Sequence, residues 1–187
     1  MTNEPVTNNE KQFSGEKSSR RRGQMSVEAI IAANILVVGL LGMLALLNRS
    51  LGLARTVSNN YIGTYLASEG IEIVKNLIDT NIIQSQPWNC GLLTGNYEAD
   101  YLSSVPPSPV CTSPYLSANL GRNLFFDPTT TKFYSYSGAG SQTNFTRHLR
   151  ITMIGADEMR VNSIVTWSTG MAQSSLNVED HFFNWRP

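Results

Sequence analysis

The chain has 187 residues, of which 15% are charged, and its formal net charge at pH 7 is zero. This length allows one small domain with appendages, since domains usually hold about 100–150 residues. The neutral balance excludes a broad basic surface that would hold nucleic acid non-specifically, so nucleic acid is not expected as a partner. Two cysteines and two histidines, with no C-x-x-C pair, are too few for an ordinary zinc site. We therefore expect no metal and no cofactor.

The N-terminal part combines a polar leader with an apolar run. Residues 1–22 are rich in Asn, Ser, Glu, Lys and Arg, cannot bury enough surface to fold, and are expected to be disordered. Residues 29–48 carry no charge, and a helix of that length spans about 30 Å, the thickness of a bilayer core. The basic residues 20–22 and Lys17 favour a cytoplasmic N-terminus. We expect a single-pass membrane protein with an extracytoplasmic C-terminal part, a buried core helix being the alternative.

The helical pattern continues beyond the apolar run. No proline occurs between residues 51 and 83, and Pro87 supplies a stop, so we expect one helix from about residue 26 to about residue 83. Its second half is amphipathic, because apolar positions recur three, four or seven residues apart. The stripe is formed by Ile62, Leu66, Glu69, Ile73 and Leu77, and the residues predicted to lie off it are Asn59, Lys75 and Asp79.

The following segment, residues 87–121, is predicted to be a long irregular loop. It contains five prolines and many other turn residues. Cys90 and Cys111 lie in this segment, on the side of the membrane where disulfides form. We expect a disulfide that closes the loop, the alternative being two unrelated buried thiols.

Residues 122–187 carry strand signals separated by turn compositions. Alternation places Leu149, Ile151 and Met153 on one face of one strand, with Arg150 on the other face. We expect an α+β fold in which an antiparallel sheet of four or five strands is covered by the amphipathic half of the helix. The segment "SGAGSQT" is interpreted as a hairpin turn. A core position is predicted for Trp167 and Trp185, the alternative being a surface for sugar or partner binding. Alternation in another strand places Val161, Val165 and Trp167 on one face. The predicted strands are 123–126, 132–136, 145–154, 159–168 and 174–180.

No catalytic arrangement is visible in the sequence. His148 lies among alternating strand residues and His181 lies beside the terminal aromatic residues. Neither is placed by a recognisable motif with a nucleophile or a carboxylate, so an enzyme is not expected.

A glycine, four intervening residues, a glutamate and then an apolar helix resemble the prepilin signal of type IV pilins and type II secretion pseudopilins. The residues are Gly23 and Glu28. The resemblance implies cleavage by prepilin peptidase between Gly23 and Gln24, methylation of Gln24, and pairing of Glu28 with the N-terminal amine of a neighbouring subunit. An unpaired charge in an apolar filament core costs several kcal/mol, so such a carboxylate would set the register of docking. The alternative is a boundary glutamate without this role.

Further motifs resemble the V-type minor pilins. An Ala-x-Glu-Gly-(Ile/Leu)-Glu pattern, a Phe-x-Arg strand, a Val-x-Trp-x-x-Gly hairpin and a terminal Asn-Trp-Arg all occur. They are carried by Ala67, Glu69, Gly70, Ile71 and Glu72, by Phe145 and Arg147, by Val165, Trp167 and the glycine of "VTWSTG", and by Asn184, Trp185 and Arg186. The resemblance implies a pilin-like fold, with one long helix on an antiparallel sheet.

The resemblance thus predicts a precursor of a minor pilin or pseudopilin, assembled into a pilus or pseudopilus. Implied partners are prepilin peptidase, major and other minor pilins, the assembly platform, and the lipid bilayer before assembly. The alternatives are a signal-anchored membrane protein with an extracytoplasmic binding domain and a secreted protein cut after the apolar run. The expected segments are the leader 1–23, the membrane and filament-core helix 24–48, the amphipathic helix 49–86, the disulfide-closed loop 87–121 and the sheet 122–187.

Overall fold

A computed structural model of the protein describes residues 16–104, 111–118, 120–138, 140–170 and 172–185, with the side chains of residues 16–24 and 104 outside the described part. The chain divides between Leu53 and Ala54 into two units, and we call the second unit the head. One long helix precedes an antiparallel sheet, so the predicted α+β fold is confirmed. The elements are α1 (Glu16–Ile83), β1 (Gly95–Tyr97), a 3₁₀ helix (Tyr101–Ser104), β2 (Asn123–Phe126), β3 (Tyr134–Ser135), β4 (Ser141–Met153), β5 (Glu158–Thr169) and β6 (Ala172–Phe183).

Helix α1 begins earlier than the sequence predicted. It starts at Glu16, so residues 16–22, expected to be disordered, are helical. These residues are Glu, Lys, Ser and Arg, and the charged ones among them extend an adjoining helix readily once it has nucleated. Residues 1–15 of the predicted leader lie outside the described part of the chain.

The end of α1 at Ile83 is where the sequence predicted it, and a Schellman motif closes it. The backbone N–H of Gln86 donates to the carbonyl of Asn81 at 2.8 Å, and that of Ser85 donates to the carbonyl of Ile82 at 3.1 Å. Ser85 adopts a left-handed φ of 57°. That conformation usually selects glycine, because a Cβ is crowded there.

Replacing Ser85 by glycine is therefore expected to stabilise the head, by about 0.5–1 kcal/mol. The measurement is chemical unfolding of the full chain in detergent, followed by tryptophan fluorescence. Ser68→Gly is the matched control, because Ser68 is exposed in the regular part of α1 and its replacement should destabilise the helix by a similar amount. A destabilising effect of Ser85→Gly would show that the left-handed turn is not strained.

The sheet has six strands instead of the predicted four or five. Five of the strands follow the order β3-β2-β4-β5-β6. The sixth, β1, is outside this order and pairs with residues 149–151 of β4. The long hairpin of β5 and β6 closes with Thr169 opposite Ala172, and Gly170 has a φ of 66° in its turn. Two predictions were wrong here. The loop 87–121 contains β1 and the 3₁₀ helix, and "SGAGSQT" is no hairpin, because β2 lies between the two strands that it connects.

The predicted faces of helix and sheet meet in the core of the head. Leu149 and Ile151 of β4 are at most 1% exposed, and so are Leu66 and Leu77 of α1. Each such side chain contributes roughly 1.5–3 kcal/mol through removal of its apolar surface from water. The predicted stripe and alternation are confirmed, and the buried partners from β5 are Met159, Val161, Val165 and Trp167. The prediction that Asn59 lies off the stripe was wrong, because its amide faces the sheet and donates to Oγ1 of Thr169 at 3.0 Å.

The two C-terminal tryptophans differ in their environment. Trp167 is 5% exposed and lies in the core as predicted, whereas Trp185 is 68% exposed and the prediction of a core position was wrong. Trp185 follows the last strand, which ends at Phe183, so the sheet and its helical cover do not enclose its ring.

Candidate functional site

The first unit presents an apolar surface. The large apolar side chains of α1 between Met25 and Leu53 are exposed, and by length and composition the helix can cross a membrane. The amide of Asn34 donates to the carbonyl of Ile30 at 2.9 Å, so this polar side chain is satisfied within the helix. The exposed side chains are Met25, Val27, Ile30, Ile31, Ile35, Leu36, Val37, Val38, Leu40, Leu41, Met43, Leu44, Leu46, Leu47, Leu51 and Leu53.

Glu28 is the one charged residue between Gln24 and Asn48, and it is exposed near the start of this surface. Among the described residues no hydrogen bond or ion pair engages its carboxylate. A carboxylate on a lipid-facing helix is costly unless it finds a partner. Gly23 and Gln24 lie within α1, and the side chain of Gln24 is outside the described part.

The head carries a buried ion pair between α1 and the sheet. The Nη1 atom of Arg147 lies 2.8 Å from Oε2 of Glu69 and donates to the carbonyl of Leu66 at 2.9 Å. Its Nη2 atom donates to the carbonyl of Ala99 in the loop before the 3₁₀ helix. The Arg147 side chain is fully buried and that of Glu69 is 17% exposed. One guanidinium thus joins the helix, the loop and β4.

Arg147 and Glu69 belong to two of the sequence motifs already described. Gly70, from the same helical motif, lies so close to the sheet that a Cβ there would be 2.9 Å from Cδ2 of Leu149. In the same way, a Cβ at Gly63 would be 2.7 Å from Cζ3 of Trp167. The motifs of helix and sheet therefore form one joint, in which glycines admit close approach and an ion pair fixes the register.

A second set of buried carboxylates holds the loop that follows α1. Glu98 is 1% exposed, and its carboxylate accepts from the backbone N–H and the Nε of Arg122 at 2.9 and 2.6 Å. The Asp100 carboxylate accepts from the backbone N–H of Tyr136 at 2.9 Å. The Tyr136 hydroxyl donates to the carbonyl of Arg147 at 2.7 Å, and burial raises its pKa to about 12. These contacts connect the loop to the same joint.

The predicted disulfide is present between Cys90 and Cys111, whose Cα atoms are 4.4 Å apart. Beside it, the amide of Asn81 donates to the carbonyls of Trp88 and Cys90 at 3.2 and 2.9 Å. Asn81 is completely buried. The loop is therefore attached to the last turn of α1 by a side chain as well as closed covalently.

Neither histidine lies in the core of the head. His181 is on edge strand β6, with Nδ1 at 2.6 Å from Glu158 and Nε2 at 3.4 Å from Glu179. Hydrogen bonds to the two carboxylates raise the pKa of His181. His148 is on β4, where burial and, to a smaller extent, Arg150 lower its pKa.

The two histidines are thus expected to titrate on opposite sides of pH 6.5, the ordinary value. NMR of ring carbons in the full chain, labelled at histidine, measures both pKa values in one titration. Glu158→Gln should lower the pKa of His181 and leave that of His148 unchanged. Since the folded-state pKa of His181 is raised, its contribution to stability is complete below pH 6.5 and is lost as the pH rises through the raised value. Equal pKa values for both histidines would contradict the observed contacts.

The charged groups of the joint were not identified as site residues from sequence. Arg147 is in phase with Phe145, Leu149 and Ile151, on the apolar face of β4. A charge in phase with core residues is a signal for a buried partner, and it would have pointed to Arg147. Glu98 and Asp100 follow a three-residue strand in a segment read as irregular, and no pattern marks them.

Within the described residues, no group of three or more His, Cys, Asp or Glu side chains is placed to hold a metal ion. Comparison of the chain with models of known protein families, with curated proteins and with solved structures gives no match.

Proposed function

We propose that the chain is the precursor of a minor type IV pilin or pseudopilin, a structural subunit without enzymatic activity. The observation that carries this proposal is the exposed apolar surface of α1, on which Glu28 is the one charged residue between Gln24 and Asn48. Lipid can cover this surface before assembly, and the helices of other subunits can cover it afterwards. Assembly would also supply the partner that Glu28 needs.

The proposal assigns a role to each part of the chain. Prepilin peptidase removes residues 1–23, the new N-terminal Gln24 is methylated, and Glu28 pairs with the terminal amine of a neighbouring subunit. The head remains outside the cytoplasm, on a pilus or a periplasmic pseudopilus. The partners are prepilin peptidase, the assembly platform and the major and other minor pilins.

The joint in the head supports the proposal. The residues that match the helical and strand motifs of V-type minor pilins, Glu69 and Arg147, are in contact at 2.8 Å. Gly70 lies against Leu149 and Ser163 of the sheet. Motifs that are distant in sequence therefore act together to hold the amphipathic half of α1 on the sheet.

Intact mass and N-terminal sequence of the protein from its host membrane test the proposal. The expected chain begins at Gln24, with or without one added methyl group. Gly23→Val should prevent the cut and leave the leader in place, because a branched side chain replaces the glycine that precedes the cleaved bond. Gly15→Val is the matched control within the leader and should leave the mass of the mature chain unchanged.

Two outcomes would replace the proposal by an alternative. Wild-type protein that keeps its leader would indicate a signal-anchored protein with an extracytoplasmic binding domain. A chain that begins beyond residue 48 would indicate a secreted protein whose apolar run is a removed signal.

A further inference from the structure

The head has a cleft where α1 ends. Its volume is about 580 Å³, within the range of roughly 300–1,000 Å³ typical of ligand clefts. The turn after α1 and the residue that follows β6 form its walls. Its lining includes Ser85, Gln86, Pro87, Trp88, Asn89 and Asn184.

The lining combines amides with apolar surface and carries no charge. None of the described residues that line the cleft is ionisable. Among the described residues, no hydrogen bond engages the side chains of Ser85, Gln86 or Asn89. The Nδ2 atom of Asn184 donates to Oδ1 of Asp157 at 3.1 Å, which leaves its amide oxygen to accept from another donor. The cleft therefore offers several donors and acceptors beside the exposed apolar surface of Pro87.

Three sets of hydrogen bonds hold the backbone around the cleft in place. The Schellman motif holds Ser85 in its left-handed conformation. The buried amide of Asn81 holds the carbonyl of Trp88, and the backbone N–H of Asn184 donates to the carbonyl of Asp157 at 2.9 Å. Groups that are already held in place lose little freedom on binding, which favours affinity for a small ligand.

We propose that this cleft binds a neutral saccharide. Amide groups donate and accept at once, which matches the hydroxyl groups of a sugar. The C–H faces of a sugar ring pack on apolar surface, which the exposed Pro87 presents, whereas Trp88 lines the cleft but is 8% exposed. An anionic ligand would meet the carboxylate of Asp157 beside the cleft and no cationic group in its lining. The inference depends on the head alone and holds whether or not the chain joins a filament.

Saturation-transfer difference NMR with the full chain in a detergent without a sugar headgroup tests this site. The probes are maltotriose, cellotriose and the trimer of N-acetylglucosamine, with trigalacturonate as the charged comparison. We expect saturable binding of at least one neutral trimer, with a millimolar or lower Kd, and weaker binding of trigalacturonate. Gln86→Ala and Asn184→Ala should each raise the Kd about fivefold, since each removes one net hydrogen bond.

Gln142→Ala is the matched control, because Gln142 is an exposed amide on β4 outside the cleft, and it should leave the Kd unchanged. Gln142 is exposed and Gln86 and Asn184 are half-buried outside the core of the head, so far-ultraviolet circular dichroism should show an unchanged fold for all three variants. The absence of saturable binding for all three neutral trimers would overturn the proposal. Equal binding by wild type and both cleft variants would also overturn it, as would preferential binding of trigalacturonate.

Discussion

Replacing Arg147 by methionine is expected to lower the free energy of unfolding of the head by about 3–5 kcal/mol. The guanidinium is fully buried and donates to the Glu69 carboxylate and to the carbonyls of Leu66 and Ala99. Methionine fills a similar volume but leaves these acceptors without a donor. Chemical unfolding of the full chain in detergent, followed by the fluorescence of the head tryptophans, measures the loss.

Two variants separate the buried charge from the rest of strand β4. Arg150→Met removes a guanidinium from the exposed face of the same strand and should change stability by at most about 0.5 kcal/mol. Arg147→Lys keeps the charge but cannot reach three acceptors in different directions, so it should fall between wild type and methionine. If Arg147→Met is as stable as Arg150→Met, the buried ion pair does not hold the joint.

The partner of Arg147 provides a further check. Glu69→Leu alone leaves the guanidinium without its carboxylate, whereas Glu69→Leu with Arg147→Met removes both charges. The double variant should lose less stability than the sum of the two single variants, because removing both partners avoids an uncompensated buried charge. Additive losses would show that the two side chains do not interact.

Sequence reasoning succeeded where one physical rule governs a long segment. The stripe from Leu66 to Leu77 follows the helical period, and the core face of β4 follows the strand period. Both periods persist over enough residues to be read without knowledge of their partners. The end of α1 is likewise local, because the turn at Ser85 and the proline after it both oppose continuation.

Features that depend on contacts between residues distant in sequence were not predicted correctly. The strand of three residues from Gly95 to Tyr97 exists because β4 offers free backbone groups beside it, and no local pattern reports that. The segment before β4 was interpreted as a hairpin because its composition favours a turn, but β2 takes the place beside β4. Trp185 was placed in the core by residue type, whereas its position after the last strand leaves it exposed.

The glycines of α1 have different surroundings in the joint and on the apolar surface. In the head, Gly63 and Gly70 bring the helix so close to the sheet that side chains there would be obstructed. Before residue 54, a Cβ added at Gly39 or Gly42 would meet no atom of a described residue within 4 Å outside the adjoining helix backbone. The first set of glycines is explained by close approach within the chain, whereas the described residues show no close approach at the second set.

Replacing Glu28 by glutamine is expected to leave the protein in the membrane but to exclude it from filaments. The change removes the charge at nearly constant shape, so it eases insertion into lipid. In the proposed assembly it also leaves the N-terminal amine of a neighbouring Gln24 unpaired in an apolar core, which costs several kcal/mol. Several kcal/mol corresponds to a loss of incorporation of a hundredfold or more, since about 1.4 kcal/mol is a factor of ten.

The measurement compares the protein in sheared filaments with that in membranes, by quantitative immunoblot in the host. Asn34→Leu is the matched control, because Asn34 bonds to the carbonyl of Ile30 in its own helix and its removal leaves no charge unpaired. Glu28→Asp keeps the charge on a shorter side chain and should restore part of the incorporation. A normal level of Glu28→Gln in filaments would contradict the proposed pairing, whereas its loss from membranes as well would assign Glu28 to stability or processing.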